Sequence, residues 1–284
     1  MRKSILLVCL GSAVALTACD KSADAEVERA LKDVNVIDES NLNDLMLTSA
    51  DPNEAVDYFK RTLSQNPERI DLARGLGMSL VRAKRPVEAA RVWKGTLGME
   101  GSTDADRVSY ADALIRSGEW DEAEAELDLI PPTHETFDRY RLEAMVADAN
   151  EEWEKSDSFY EIAIGLTTKP SGVLNNWGYS KLSRGDFAEA ERLFGEALTY
   201  DQSLFTAKNN LVLARGAQRK YDLPIVQMTQ VERAQLLHTL ALSAIKQGDV
   251  ATGKGLLTDA IETHPQHFEP AVRSLRALEA NVYN

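Results

Sequence analysis

The 284-residue chain holds 45 acidic and 32 basic residues, which gives a formal net charge of −13 at pH 7. That balance argues against the class of protein that binds nucleic acid through basic patches, and against a chain that lies flat on anionic lipid. We interpret the charge as a solvated acidic surface.

The N-terminus predicts a secretion signal. Arg2 and Lys3 precede an apolar stretch from Ile5 to Leu16 that is too short to span a bilayer comfortably. The following residues, Leu16 to Cys19 (LTAC), resemble the bacterial lipobox, which implies cleavage before the cysteine and a diacylglycerol on its thiol. Residues 1–18 are then a lipoprotein signal peptide. An ordinary secretory signal and an uncleaved anchor are the alternatives.

Residues 19–40 are predicted to form the lipidated N-terminus and a charged tether, which could extend roughly 60–70 Å at about 3.3 Å per residue. The lipobox implies a periplasmic protein bound to the lipid bilayer through Cys19, in the cell membrane or the outer membrane, with the outer membrane favoured. Asp20 after the cysteine is the feature that favours the inner membrane in enteric bacteria. With Cys9 removed and Cys19 acylated, no disulfide is expected, so stability must come from packing.

The rest of the chain repeats itself at steps of 34, 34, 33 and 34 residues. Four positions recur in phase: one after a turn, a small residue in a first helix, and a small and a bulky residue in a second helix. The members are, in that order, Pro52, Pro86, Trp120, Trp153 and Phe187; Gly77, Ala111, Ala144 and Gly178; Ala55, Ala89, Ala123, Ser156 and Ala190; and Phe59, Trp93, Leu127, Tyr160 and Phe194. Such phasing predicts stacked pairs of helices, with Gly178 and Ala190 facing each other in one pair.

The stretch from Leu174 to Asp201 resembles a tetratricopeptide (TPR) repeat, a 34-residue helix-turn-helix unit. It departs from the family pattern at Leu174, Lys181 and Gln202, where tryptophan, tyrosine and proline are usual. The resemblance implies an all-α TPR α-solenoid, a right-handed superhelix of about six repeats plus a capping helix. One unit cannot bury its own apolar face, so stacked neighbours are required.

Residues 41–204 are predicted to hold repeats one to five, and residues 205–233 an interrupted unit. Pro224 falls where the second helix of that unit should lie, and a proline in a helix interior costs about 3 kcal/mol. We therefore expect no second helix there and an extended run from Asp222 to Met228. Thr229 and Glu232 have the spacing of a capping box, which predicts that a helix restarts. Residues 234–284 are predicted to form the last repeat, from Ala234, and the capping helix.

The sequence offers little sign of catalysis. It has no glycine-rich phosphate loop, no nucleophile elbow and no catalytic cluster, so we expect a non-enzymatic protein without cofactor or metal. His264 and His267 are ligand types, but they flank the proline that closes a repeat, and a zinc site needs three or four ligands. A loop-and-cap role is the favoured interpretation of that pair.

One row of residues suggests binding. In TPR arrays the first helix of each unit lines a concave groove, and its fifth position points into that groove. That position holds Arg74, Val108, Arg141, Asn175, Asn209 and His238, and beside it lie Asn176, Tyr179 and Asn210. All of these except Val108 form the predicted partner-binding groove. Asparagine both donates and accepts hydrogen bonds, which suits an extended peptide backbone, although ordinary solvated residues are the alternative.

The lipobox, the tether, the repeats and the interrupted unit together resemble the TPR lipoproteins of Tad (tight adherence, Flp-type) pilus assembly, the TadD-like proteins. Residues 173–194 and 207–218 carry the resemblance. It implies a periplasmic lipoprotein scaffold that binds envelope proteins or peptides, with pilus or secretin components suspected. The alternative is a scaffold for peptidoglycan enzymes or outer-membrane protein assembly.

Overall fold

The structure, a computed structural model, describes residues 42–282. Within this part of the chain every regular element is an α-helix, which confirms the all-α prediction. The predicted signal peptide, the tether and Cys19 lie outside the described residues. Residues 42–106 and 107–282 form two compact units.

The N-terminal unit contains the first four helices and the start of the fifth. They are α1 (42–48), α2 (Pro52–Gln65), α3 (Ile70–Arg82), α4 (Pro86–Thr96) and α5 (Asp104–Ser117). Helix α2 begins where Asp51 Oδ1 accepts a hydrogen bond from the backbone N of Asn53 at 2.9 Å. Pro52 follows at the first helical position, where its missing N–H costs nothing. Helix α3 packs against both α2 and α4.

The C-terminal unit holds the rest of α5 and nine further helices within the described range. They are α6 (Trp120–Asp128), α7 (Phe137–Ala149), α8 (Trp153–Gly165), α9 (Ser171–Ser183), α10 (Phe187–Tyr200), α11 (Phe205–Ala217), α12 (Gln230–Lys246), α13 (Val250–Thr263) and α14 (Glu269–Val282). From α6 onward each helix packs against the next along the chain. The first helices α7, α9 and α11 also contact one another in sequence, and this places their side chains around a shared surface.

A left-handed residue follows the first helix of every unit from α3 onward. These residues are Lys84, Gly118, Glu151, Gly185, Arg219 and Gly248, with φ between 58° and 88°. Glycine adopts this conformation freely, whereas a side chain there costs roughly 1–2 kcal/mol. The geometry of the turn is therefore kept even where the sequence lacks the favoured residue.

Within a unit, the small residue of the first helix makes room for the bulky residue of the second. A Cβ added to Gly178 would lie 2.7 Å from Cε1 of Phe194, and one added to Gly77 would lie 2.5 Å from Cε2 of Trp93. The side chain nearest to Gly178 is thus Phe194 rather than Ala190, the residue expected opposite it. Since Phe194 and Ala190 are both fully buried, the bulky residue, with its ring, sets the spacing of the pair.

The unit that begins with α11 has no second helix before α12. Between the end of α11 and Gln230 the chain is irregular, and it bends at Asp222, Ile225 and Val226 instead of running straight through this segment. The capping box predicted at Thr229 is confirmed, because its hydroxyl accepts from the backbone N of Glu232 and that carboxylate accepts from the backbone N of Thr229. Helix α12 therefore begins four residues before Ala234, where the last repeat was expected to start.

Candidate functional site

Four of the eight predicted groove residues lie around one cavity of about 500 Å³ in the C-terminal unit. They are Asn175, Asn176, Tyr179 and Asn210. Helices α7, α9 and α11 supply most of the wall, and α6 and α8 add the side chains of Trp120 and Trp153 at their first positions. The cavity thus combines amides with aromatic rings.

The amides of the cavity are partly engaged with one another. Asn210 Nδ2 donates to Asn175 Oδ1 at 3.0 Å, and Asn176 Nδ2 lies 3.8 Å from the sulfur of Met145. Within the described residues, nothing accepts a hydrogen bond from Nδ2 of Asn175 or donates one to Oδ1 of Asn176. These atoms and the exposed ring of Tyr179 are the groups that a bound peptide could contact.

Three other predicted groove residues in this unit do not line the cavity, and each has a partner within the protein. Arg141 forms an ion pair with Asp112 at 3.1 Å, and Asn209 Oδ1 accepts from the hydroxyl of Thr239 at 2.8 Å. His238 lies 3.1 Å from the hydroxyl of Ser274. Burial lowers the pKa of His238 below its ordinary value of 6.5. All three therefore link neighbouring helices of the unit.

The remaining predicted residue, Arg74, belongs to the N-terminal unit. Its Nε and Nη2 atoms donate to the two carboxylate oxygens of Asp106 at 2.6 and 2.7 Å, and Nη2 also donates to the backbone oxygen of Gly101 at 3.0 Å. This forked arrangement is the strong geometry for an arginine–carboxylate pair. Arg74 thus fastens the start of α5 to α3.

A carboxylate that the sequence analysis did not single out, Asp148 at the end of α7, also lines the cavity. Its Oδ1 accepts from the hydroxyls of Ser156 and Ser180 at 2.5 and 2.6 Å, and its Oδ2 accepts from the hydroxyl of Tyr160 at 2.8 Å. Burial, together with the charge of Asp148, raises the pKa of Tyr160 above its ordinary value, so the phenol remains a donor. We call these four residues the Asp148 cluster.

A signal for this cluster was present in the repeat columns. Among the units with a second helix, Ser156 stands where the others have alanine or glycine, and Tyr160 stands where they have phenylalanine, tryptophan or leucine. The position of Asp148 in the other units holds Val81, Ile115, Leu182, Gly216 and Ile245. Three apolar or small columns thus turn polar in the same unit, because the carboxylate needs donors once it is partly enclosed.

A second carboxylate, Asp157 on α8, fastens α9 beside the cavity. It accepts from Trp177 Nε1 at 2.6 Å, from Lys181 Nζ at 2.8 Å and from Arg184. Burial alone would raise the pKa of Asp157, but the donors, chiefly Arg184 and Lys181, outweigh it and lower that pKa. The guanidinium of Arg184 also lies over the ring of Trp153, 5.1 Å from its centroid. These contacts fix one wall of the cavity.

The histidine pair considered as a metal site is placed in a loop and cap. The ring of His264 stacks on Phe268 with centroids 4.9 Å apart, and His267 pairs with Glu269 at 2.8 Å. Among residues 42–282 no group of three or more metal-ligating side chains comes together. Over the same range, no helix combines the length and the apolar character that a membrane span requires.

Comparison with known proteins shows the fold. A scan against protein-family models gave no match, and no curated protein is significantly similar in sequence. One chain of the solved Cut9–Hcn1 hetero-tetramer of the APC/C superposes on this chain with a TM-score of 0.59 at 16% identity. The superposition covers 83% of this chain and 48% of that chain, so this chain spans about half the length of that protein. A tetratricopeptide repeat protein from Parabacteroides merdae superposes with a TM-score of 0.53 at 13% identity, over 89% and 98% of the two chains.

A third structure, the C-terminal part of a TPR repeat-containing protein from Cytophaga hutchinsonii, has a TM-score of 0.50 at 14% identity over 83% and 98% of the two chains. The fold is therefore that of TPR proteins, as the resemblance of residues Leu174 to Asp201 implied. Identities this low show the fold alone and carry no information about function or an individual partner.

Proposed function

We propose that the chain is a non-enzymatic scaffold that binds an extended segment of a protein partner in the cavity between α7, α9 and α11. The observation that carries this proposal is the meeting of Asn175, Asn176, Tyr179 and Asn210 around one opening of about 500 Å³. Amides suit the main chain of a peptide, and aromatic rings suit its side chains. The volume lies within the range of ligand sites, about 300–1,000 Å³.

The proposal extends to the cell envelope. The lipobox at Leu16 to Cys19 supports a lipid-anchored periplasmic protein. The resemblance to TadD-like lipoproteins supports a role in Tad/Flp-type pilus assembly, with a pilus or secretin component as partner. A scaffold that is tethered to a bilayer would present the cavity to proteins that cross or leave the membrane.

The test compares two exposed tyrosines. Tyr179 lines the cavity and is 59% exposed, whereas Tyr200 on α10 is 55% exposed and lies outside it. Each is changed to alanine in the full-length protein, which is then used to recover partners from detergent-solubilised envelopes for identification by mass spectrometry. Exposed substitutions shift stability by no more than about 0.5 kcal/mol, so the two variants should melt alike.

We expect Tyr179→Ala to lose the partner and Tyr200→Ala to retain it, since aromatic anchors in an interface commonly contribute more than about 1 kcal/mol. Equal recovery by both variants would remove the cavity as the binding surface. Recovery of peptidoglycan enzymes in place of pilus or secretin components would leave the scaffold in place and reject the pilus assignment.

A further inference from the structure

The Asp148 carboxylate lines the cavity and accepts its hydrogen bonds from hydroxyl groups. Its three hydrogen-bond donors are the neutral hydroxyls of Ser156, Tyr160 and Ser180, and Oδ2 accepts only one of them. Within residues 42–282 no lysine, arginine or histidine forms an ion pair with Asp148. A carboxylate oxygen can accept more than one hydrogen bond, so Oδ2 has room for a further donor.

Arg141 and Arg184, whose charges reach the Tyr160 hydroxyl that bonds Asp148, are already engaged by other carboxylates. Arg141 pairs with Asp112 at 3.1 Å, and Arg184 pairs with Asp157. Each therefore has a carboxylate partner of its own, and neither forms an ion pair with Asp148. A charge that is partly enclosed is ordinarily paired, and Asp148 is a lining residue of the cavity.

The cluster is an addition to the repeat rather than a part of it. The other units build this region from aliphatic residues, alanine or glycine, and from rings or leucine without a hydroxyl. Only in this unit is a carboxylate present together with its donors. An apolar residue satisfies packing at this place in the other units, so packing alone does not require the polar set.

The walls of the cavity match the stem of a long basic side chain. Trp120 and the exposed ring of Tyr179 line the opening, and Asn175 and Asn176 lie on the same helix as Tyr179. Lysine and arginine bury their methylene stems along apolar surface and are attracted to aromatic faces. The amides are then left for the main chain on either side of such a residue.

We propose that the cavity binds a lysine or arginine side chain of the partner segment, with its cation set against Asp148. This inference rests on the proposed function, because it names the chemistry of the segment that the cavity takes. It makes the scaffold selective for partners that present a basic residue in an extended stretch.

The experiment selects peptides from a library of random decapeptides on the immobilised full-length protein and on two variants. Asp148→Asn removes the charge but keeps an oxygen that can accept from the two serines. Glu161→Gln, on the exposed side of α8, changes the net charge equally and serves as the matched control. We expect one position enriched in lysine or arginine with the wild type and with Glu161→Gln, and no such enrichment with Asp148→Asn.

A selected peptide is then compared with its analogue in which norleucine replaces the basic residue. We expect the wild type to bind the basic peptide at least about tenfold more tightly, the ratio for one hydrogen bond to a charged group. This comparison needs no variant, so it stands even if Asp148→Asn does not fold. Equal affinities, or enriched peptides without a basic residue, would overturn the inference and leave peptide binding intact. Failure to enrich any peptide above a Tyr179→Ala background would overturn both.

Discussion

Replacing Gly178 by alanine tests the packing rule that sets the spacing of α9 and α10. The added Cβ would lie 2.7 and 2.8 Å from Cε1 and Cδ1 of Phe194, about 0.6 Å or more inside ordinary van der Waals contact. The ring cannot swing aside, because it is fully buried among Leu174, Leu193 and Leu198. The helix pair must therefore open or distort.

The expected change in the free energy of unfolding is the difference between two opposing effects. Overpacking a core costs about 1–3 kcal/mol, whereas alanine gains up to about 1 kcal/mol over glycine in a helix interior. We expect Gly178→Ala to lower the free energy of unfolding by about 1–2 kcal/mol. Gly195 on α10 is the matched control, since a Cβ there meets nothing within 4 Å. Gly195→Ala should stabilise the protein by up to about 1 kcal/mol.

A second substitution should relieve the first. Two of the three other units with alanine in this column have leucine opposite it, Ala111 with Leu127 and Ala241 with Leu257, and the third has Ala144 with Tyr160. Phe194→Leu should therefore be less harmful beside Gly178→Ala than alone, with a coupling energy of about 0.5–2 kcal/mol. Urea titrations give these values, and hydrogen exchange locates the loss in α9 and α10. A neutral or stabilising Gly178→Ala, or strictly additive effects in the double variant, would refute the reasoning.

Two further predictions concern charge and the lipid anchor. Asp157→Asn should lower the free energy of unfolding at pH 7 by about 1–3 kcal/mol. Because folding lowers the pKa of Asp157, its carboxylate stabilises the protein at pH values above 3.8, the ordinary pKa. This stabilisation is lost as the pH falls through the lower pKa of the folded state. The free energies of unfolding of wild type and variant should therefore become equal in acid. A difference independent of pH in urea titrations would contradict this. Cys19→Ala should abolish incorporation of labelled palmitate, and continued labelling of that variant would reject the lipoprotein proposal.

The helical repeat could be predicted from the columns because their spacing is a local property of the chain. Gly178 and Phe194 are 16 residues apart and meet within one unit, and the columns marked both as repeat positions. The residue expected opposite Gly178 was Ala190, which lies four residues before the ring that is found there. The helix restart at Thr229 was predictable for the same reason, since a capping box spans only four residues.

The candidate site was only partly predictable, because the partner of a groove side chain lies in a neighbouring unit. Asn209 and Asn210 are adjacent in sequence, yet one bonds Thr239 on α12 and the other bonds Asn175 on α9. Which of them reaches the cavity depends on helix rotation, which the spacing does not specify. Asp148 was missed because a single charged residue at a helix end is ordinary until its donors are seen together.

The Asp148 cluster limits how far the units of this chain are interchangeable. In a tandem array each unit contacts only its neighbours, so joints made of aliphatic side chains can accept an inserted or deleted unit. Asp148, Ser156 and Tyr160 belong to the unit of α7 and α8, whereas Ser180 belongs to the next unit. A unit inserted between them would carry Ser180 away and leave the carboxylate with two donors. The four residues of the cluster therefore specify the order and register of these two units.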